Sequence, residues 1–187
     1  MKETTFIENN KAKNIFNQFG TWKIIKIDEK TIIQGCYDGL YVIKKENSTW
    51  KLRNKINGFN NSSKYVVQVD KNRIFVNHEY KGVYKITLDK GFKEVINLQV
   101  EKSLLIGKNS SILKYHDKVL YANKKGIFAY NNKLDSFSRD SIFSQLISEK
   151  SYISGELIHT VSNNKLWLFS KDHIKYLEPG KLSNKPQ

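Results

Sequence analysis

Cysteine is nearly absent from this chain: Cys36 stands alone among 187 residues. That excludes an intrachain disulfide framework and any zinc site built from several thiolates. Proline is almost as scarce, with Pro179 and Pro186 the only two, so no proline interrupts hydrogen-bonded ladders in the long stretch before them. No apolar run approaches the roughly 18 residues of a membrane span. The opening Met1-Lys2-Glu3-Thr4-Thr5-Phe6-Ile7-Glu8 carries acids where an export signal has an apolar core. The expectation is a soluble chain with no membrane span and no signal peptide as it stands. Arginine is also short. Arg53, Arg73 and Arg139 are the only arginines among 32 basic residues, which outnumber 18 acidic ones and leave a formal net charge of +14. Phosphate-reading surfaces favour Arg forks or clustered charge. Scattered Lys beside scattered Asn reads as solvated surface, and no direct nucleic-acid binding is expected.

What is present is apolar and aromatic material enough for a core, 39% and 12% of residues, arranged in a repeat. A Gly-apolar-aromatic step occurs at Gly39-Leu40-Tyr41, Gly82-Val83-Tyr84 and Gly126-Ile127-Phe128, with a degraded version at His173-Ile174-Lys175-Tyr176. The spacings are 43, 44 and 47 residues. An acidic or amide turn precedes each, at Asp28-Glu29-Lys30, Asp70-Lys71-Asn72, Asp117-Lys118 and Asn163-Asn164-Lys165. Before each turn lies a small-residue corner, at Gly20-Thr21, Ser62-Ser63, Ser110-Ser111 and Ser154-Gly155.

Between these landmarks run short segments rich in β-branched and aromatic residues, such as Trp22 to Ile27, Tyr65 to Val69, Arg73 to Val76 and Leu166 to Phe169, which read as strands. A weaker fourth strand is expected around Trp50 to Leu52, Phe92 to Ile96 and Ser136-Phe137. Four short antiparallel strands recurring at this period are the pattern of β-propeller blades. The fold class is therefore read as all-β, a β-propeller segment of about four blades of four antiparallel strands, over an ordinary sandwich with coincidental hairpins. The blades are set at about 20–61, 62–109, 110–153 and 154–187, the last incomplete. Residues 1–19 are read as an outer strand or a flexible segment, and Asp140 to Lys150 as an excursion able to form a short helix.

Gly35-Cys36-Tyr37-Asp38-Gly39-Leu40, Trp50, Asn54 to Phe59, and Val76-Asn77-His78-Glu79-Tyr80-Lys81-Gly82-Val83-Tyr84-Lys85 together resemble a known family. It is that of the two-component-regulator propeller repeats of bacterial triple-tyrosine-motif, helix-turn-helix transcriptional regulators. Leu166 to Phe169 and Tyr176 to Ser183 continue the likeness, which spans about residues 20 to 187. The resemblance implies a sensory module of a larger propeller of seven or so blades, a periplasmic setting within a membrane-anchored receptor, and an output domain outside this chain.

In a propeller, the loops leading into the first strand and those joining the second and third strands share one face. The candidate ligand- or partner-binding residues on it are Tyr37, Asp38, Asn61, Ser62, Asn77, His78, Tyr80, Asn109 and Ser110. Hydroxyls, amides and Tyr rings suit a polar ligand such as an oligosaccharide, or a protein partner. The competing reading is that the Asn-Ser corners complete turns with their own side chains. Nothing in the pattern calls for a cofactor. The Gly-x-Ser-x-Gly elbow, the phosphate loop and the dinucleotide fingerprint are all missing. His78 and Glu79, adjacent on an extended segment, point to opposite faces. His116, His159 and His173 fall at non-equivalent strand or turn positions with no metal-binding spacing, so neither a catalytic nor a metal site is expected. The reading is a non-enzymatic sensory or interaction segment, able to dimerise through open sheet edges. Its alternatives are a propeller enzyme acting on polysaccharide or a lactone, and a free-standing scaffold.

Overall fold

The computed structural model describes residues 4–17, 20–160 and 162–178. The fold is all-β, four antiparallel blade sheets of the propeller class and a hairpin, with a single 3-10 turn among the described residues. The chain divides into two compact units. The first is Met1–His78 with Tyr84–Val100, and the second is Glu79–Val83 with Glu101–Gln187.

The first unit begins with a hairpin of β1 (Thr4–Glu8) and β2 (Lys11–Phe16), turned through Asn9 and Asn10 at φ 50 and 60. Asn tolerates this left-handed backbone better than most residues. Blade one follows as β3 (Lys23–Asp28), β4 (Thr31–Cys36), β5 (Gly39–Glu46) and β6 (Thr49–Lys55). Blade two is β7 (Tyr65–Gln68), β8 (Arg73–His78), β9 (Gly82–Leu88) and β10 (Val95–Val100). In this unit the turn acids cap backbone: Asp28 accepts from Lys30 N at 2.7 Å, and Asp70 from Asn72 N and Arg73 N at 3.2 and 3.0 Å.

Strand alternation sends successive side chains of blade one to opposite faces. Ile33, Leu40 and Val42 pack with Val66, Ile74, Val76, Ile86 and Leu88 of blade two. Cys36, Tyr41 and Ile43 face the other way and lie beneath Phe16 of the hairpin, with Ile32 and Trp50 at the margin. A sheet covered on both faces explains why β4 and β5 read as nearly unbroken apolar runs. The hairpin is thus a cover over the first blade and forms a sheet of its own, not a strand added to a blade.

The last strand of blade two starts at Val95, later than the expected Phe92. Asp89 explains the shift: its carboxylate accepts from the backbone N of Gly91, Lys93 and Glu94, at 2.8, 2.5 and 2.9 Å, and holds Phe92 at φ 54 in a tight turn. That turn is stitched to blade one, where Asn54 Nδ2 donates to Phe92 O at 3.1 Å and Asn57 N to Lys93 O at 2.9 Å.

In the second unit, blade three is β11 (Ser111–Tyr115), β12 (Lys118–Asn123), β13 (Gly126–Asn131) and β14 (Ser136–Arg139). The Asp140 to Lys150 excursion contains the 3-10 turn Phe143–Leu146. Ser144 anchors it by donating to Ile127 O and accepting from Ile127 N, both at 2.9 Å. The described part of blade four is β15 (Leu157–Thr160), β16 (Lys165–Phe169) and β17 (Ile174–Leu177). Leu120, Ala122, Ile127, Phe143, Leu146, Leu157, Leu166, Leu168 and Leu177 form this unit's core.

The small-residue corners have a steric cause. A Cβ on Gly35 would lie 2.2 Å from Ser63 O, and one on Gly155 would lie 2.4 Å from Ala122 O. In both units, the second strand of a blade and the chain entering the next blade run too close for a larger side chain.

Candidate functional site

Three pieces of the first unit meet where blade one's second strand ends. Trp22 N donates to Gly35 O and Ser63 N to Cys36 O, both at 2.9 Å, bringing the starts of β3 and β7 to the Tyr37-Asp38 turn. Trp22 and Tyr37 are 41% and 55% exposed, and their rings meet edge to face with centroids 4.9 Å apart. Lys64 Nζ stands 5.9 Å from the Trp22 ring centre and 4.8 Å from that of Tyr65. Gly20 makes room for this. Its φ is +71, and a Cβ there would fall 1.9 Å from Tyr37 Cδ2.

Asp38, half exposed, accepts the Tyr41 hydroxyl at 2.7 Å and Lys55 Nζ at 3.0 Å. Burial is the largest single influence on its carboxyl and raises it, but the two hydrogen bonds and the Lys55 charge together outweigh burial and hold it below 3.8. Tyr41 is pushed far above its ordinary value, first by burial and then by the Asp38 carboxylate. The carboxylate is therefore ionised and fixed, and the phenol neutral, at physiological pH.

Beneath the turn lies a buried polar chain. Gln34, fully buried, donates to Thr21 Oγ1 at 2.8 Å and to Cys36 Sγ at 3.5 Å, and accepts from Thr4 Oγ1 at 3.0 Å. Burial raises the Cys36 thiol more than the Gln34 contact lowers it, leaving a protonated, unreactive sulfur. This chain ties the hairpin strand β1 to the strand that presents Tyr37 and Asp38.

The other expected residues are distributed differently. Asn61 and Ser62 are half-buried beside this turn, where Ser63 Oγ donates to Asn61 O at 2.9 Å. Asn77 is 1% exposed at the end of β8, opposite Tyr65 in the ladder, and so lies within the sheet and not on a loop. His78 is half-buried beside it. In the second unit, Tyr80 is 68% exposed, whereas Ser110 is 1% exposed. Asn109 is exposed at φ 59, but its Nδ2 donates to Ile153 O, and its own carbonyl accepts from Tyr152 Oη and Gly155 N, each at 2.8 Å. Burial thus removes Asn77 and Ser110 from the accessible set, and Asn109 is engaged as a loop latch, which favours the turn-completing reading of that corner. Trp22 and Lys64 were not among the expected residues. The signal for them was Trp22 standing at a small-residue corner, which the repeat itself marks.

The fold defines the class of protein, a β-propeller segment, and this turn cluster is a candidate site on its loops. No family model matches the chain, and no curated protein matches it. Solved structures do, at the level of the fold. The WD40 β-propeller domain of Doa1 is 10% identical with a TM-score of 0.63, covering 98% of this chain and 60% of that one. Extracellular domains assigned to two hybrid two-component systems of B. thetaiotaomicron, BT4673 and BT3049, are 12% and 14% identical with TM-scores of 0.60 and 0.55. Each comparison covers 98% of this chain, but only 23% and 24% of those chains. The chain thus spans three fifths or less of the length of these structures. Among the described residues, no helix is long and apolar enough to cross a membrane.

Proposed function

We propose that this chain is a non-enzymatic sensory propeller segment of a bacterial regulator, and that the Trp22, Tyr37, Asp38, Lys55 and Lys64 cluster holds its polar ligand. The observation that carries this is an exposed aromatic pair with a cation beside it, mounted on a buried hydrogen-bonded base. Aromatic faces stack on the C–H faces of sugar rings, a fixed carboxylate and lysines orient hydroxyls or anionic groups, and the rigid base keeps the cost of ordering them low. The fold likeness to extracellular domains of two-component systems supports a sensory role outside the cytoplasm. The repeat residues around Gly35 to Leu40 and Val76 to Lys85 support the narrower placement among triple-tyrosine-motif regulators. Asp38 serves here to position the ligand, since it is already held by Tyr41 and Lys55. Ligand capture would signal by favouring one of two receptor arrangements.

Titration calorimetry against neutral and uronic-acid oligosaccharides tests the reading. The expected result is binding that Trp22→Ala and Tyr37→Ala each weaken about tenfold or more, equivalent to ~1.4 kcal/mol. Binding unaffected by either change would move the site elsewhere.

One further observation favours a protein partner. Ile158, Phe169 and Ile174 of blade four are 47%, 44% and 57% exposed, and alternation puts them on the face of Trp167 and Tyr176, opposite the unit's core. Self-association through that face is the second reading. Sedimentation should show a dimer that Phe169→Lys disperses, and a monomer at every concentration rejects it.

A further inference from the structure

Two of the four histidines meet in the second unit. His116 occupies the turn between β11 and β12 at φ 50, and His159 lies in β15, which runs beside β11. Their ring centroids are 5.6 Å apart with the planes at 52°. Tyr115, 3% exposed, meets both rings edge to face, with centroids 4.5 and 4.9 Å away. Its hydroxyl donates to the backbone oxygen of Asn164 at 3.0 Å. Asn164 sits at φ 59 in the corresponding turn of blade four, and its side-chain Oδ1 is 3.0 Å from His159 Nε2.

The last contact sets the chemistry. An amide oxygen only accepts, so in the neutral imidazole that this contact selects Nε2 of His159 is the donor and Nδ1 carries the lone pair. A ring nitrogen held by an outer oxygen, with the other nitrogen free to ligate, is the usual arrangement of a metal-binding histidine. The spacing agrees. Two imidazoles sharing one ion at about 2.0–2.1 Å place their ring centres roughly 5 to 5.5 Å apart, close to the 5.6 Å separation here. His116 is exposed and His159 half-buried, which leaves the pair open to solvent and to an incoming ion.

We propose that His116 and His159 form a two-imidazole clip for a divalent transition-metal ion, with Asn164 as a positioning residue. Paired imidazoles suit Zn2+, Ni2+ and Cu2+, with Cu2+ held most tightly. Among the described residues, no group of three or more His, Cys, Asp or Glu converges on a metal position. Water therefore fills the remaining coordination positions, and binding is reversible.

The test is calorimetric titration of the tag-free full chain with ZnCl2, together with electron paramagnetic resonance of the Cu2+ form. The expected result is one Zn2+ per chain and a two-nitrogen Cu2+ signal. His116→Ala, at an exposed position, should lose Zn2+ affinity at least tenfold and reduce the Cu2+ signal to one nitrogen. Asn164→Ala should weaken Zn2+ about 10-fold or more, while His173→Ala should leave affinity unchanged. No saturable Zn2+ binding by the native chain, or binding that survives His116→Ala and fails in His173→Ala, overturns the proposal.

Discussion

The residues with the clearest consequences lie at turns. Gly20 occupies a left-handed backbone position against which the Tyr37 ring is laid. Gly20→Ala should cost about 1–2 kcal/mol through the backbone alone and also displace Tyr37, read as a lower urea midpoint with an altered near-ultraviolet circular dichroism signal. An unchanged aromatic signal would mean that Tyr37 does not depend on the glycine. Acid sensitivity follows from three carboxylates, Asp38, Asp70 and Asp89, each held below 3.8 in the folded chain. For Asp38 and Asp70 burial acts in the raising direction and is outweighed, at Asp70 by the Arg73 contacts; for Asp89 the leading cause is the hydrogen bond from Glu94 N. A carboxyl with a lowered folded value contributes stability that is complete above its unfolded value and is lost as pH falls through the folded one. Unfolding midpoints should therefore be flat from about pH 5 upward and fall below about pH 4. Asp89→Asn should reduce that acid slope, and an identical slope in the variant would show that Asp89 is not a source of it.

At the scale of elements, the hairpin of β1 and β2 matters most. It buries Phe16, 3% exposed, against Tyr41 at a centroid distance of 4.7 Å, and it closes the face on which Cys36 lies fully buried. Phe16→Ala should destabilise the chain by about 3–5 kcal/mol. It should also turn Cys36 from inert to reactive toward a thiol reagent under native conditions, which separates uncovering of this face from a general loss of stability. A thiol that stays inert would mean the hairpin does not guard it. The 3-10 turn of the second unit is capped by Asp140, which accepts from Ile142 N and Phe143 N at 3.0 Å, and tied to blade three by Ser144. Ser144, 3% exposed, both donates to and accepts from the backbone of Ile127. Ser144→Ala leaves Ile127 N without this acceptor, while Ile127 O keeps Asp140 N at 2.9 Å, at a cost of about 1–3 kcal/mol, measurable as a shift in thermal midpoint, whereas Ser144→Thr should retain part of it.

Over the whole molecule, a formal net charge of +14 acts as self-repulsion. Salt should therefore stabilise the fold, raising the thermal midpoint by about 2–4 °C, on the order of 1 kcal/mol, between low and physiological ionic strength. A midpoint that falls with salt would mean that ion pairs such as Lys55 with Asp38 outweigh the repulsion. The blade pattern itself was legible in the residues, because it is written in short-range terms. Gly at the Gly39, Gly82 and Gly126 steps, Asp28 and Asp70 closing turns on their own neighbours, and β-branched runs between them all act within a few positions of the chain. Period-two burial extends those terms to a face, and the nearly unbroken apolar stretch of β4 matches a sheet covered on both sides. The same locality predicted Tyr37 and Asp38 at a turn. It could not tell that Asn77 and Ser110, equally polar and equally near turns, would be buried. Only the tertiary structure decided that Thr4, Thr21, Gln34 and Cys36 would share one hydrogen-bonded chain, that Phe16 would cover the first blade, that Trp22 and Lys64 would flank Tyr37, and that His116 would meet His159. Each of these depends on where strands distant in sequence come to lie, which is set by the packing of one sheet face on another and leaves no periodic mark in the residues themselves.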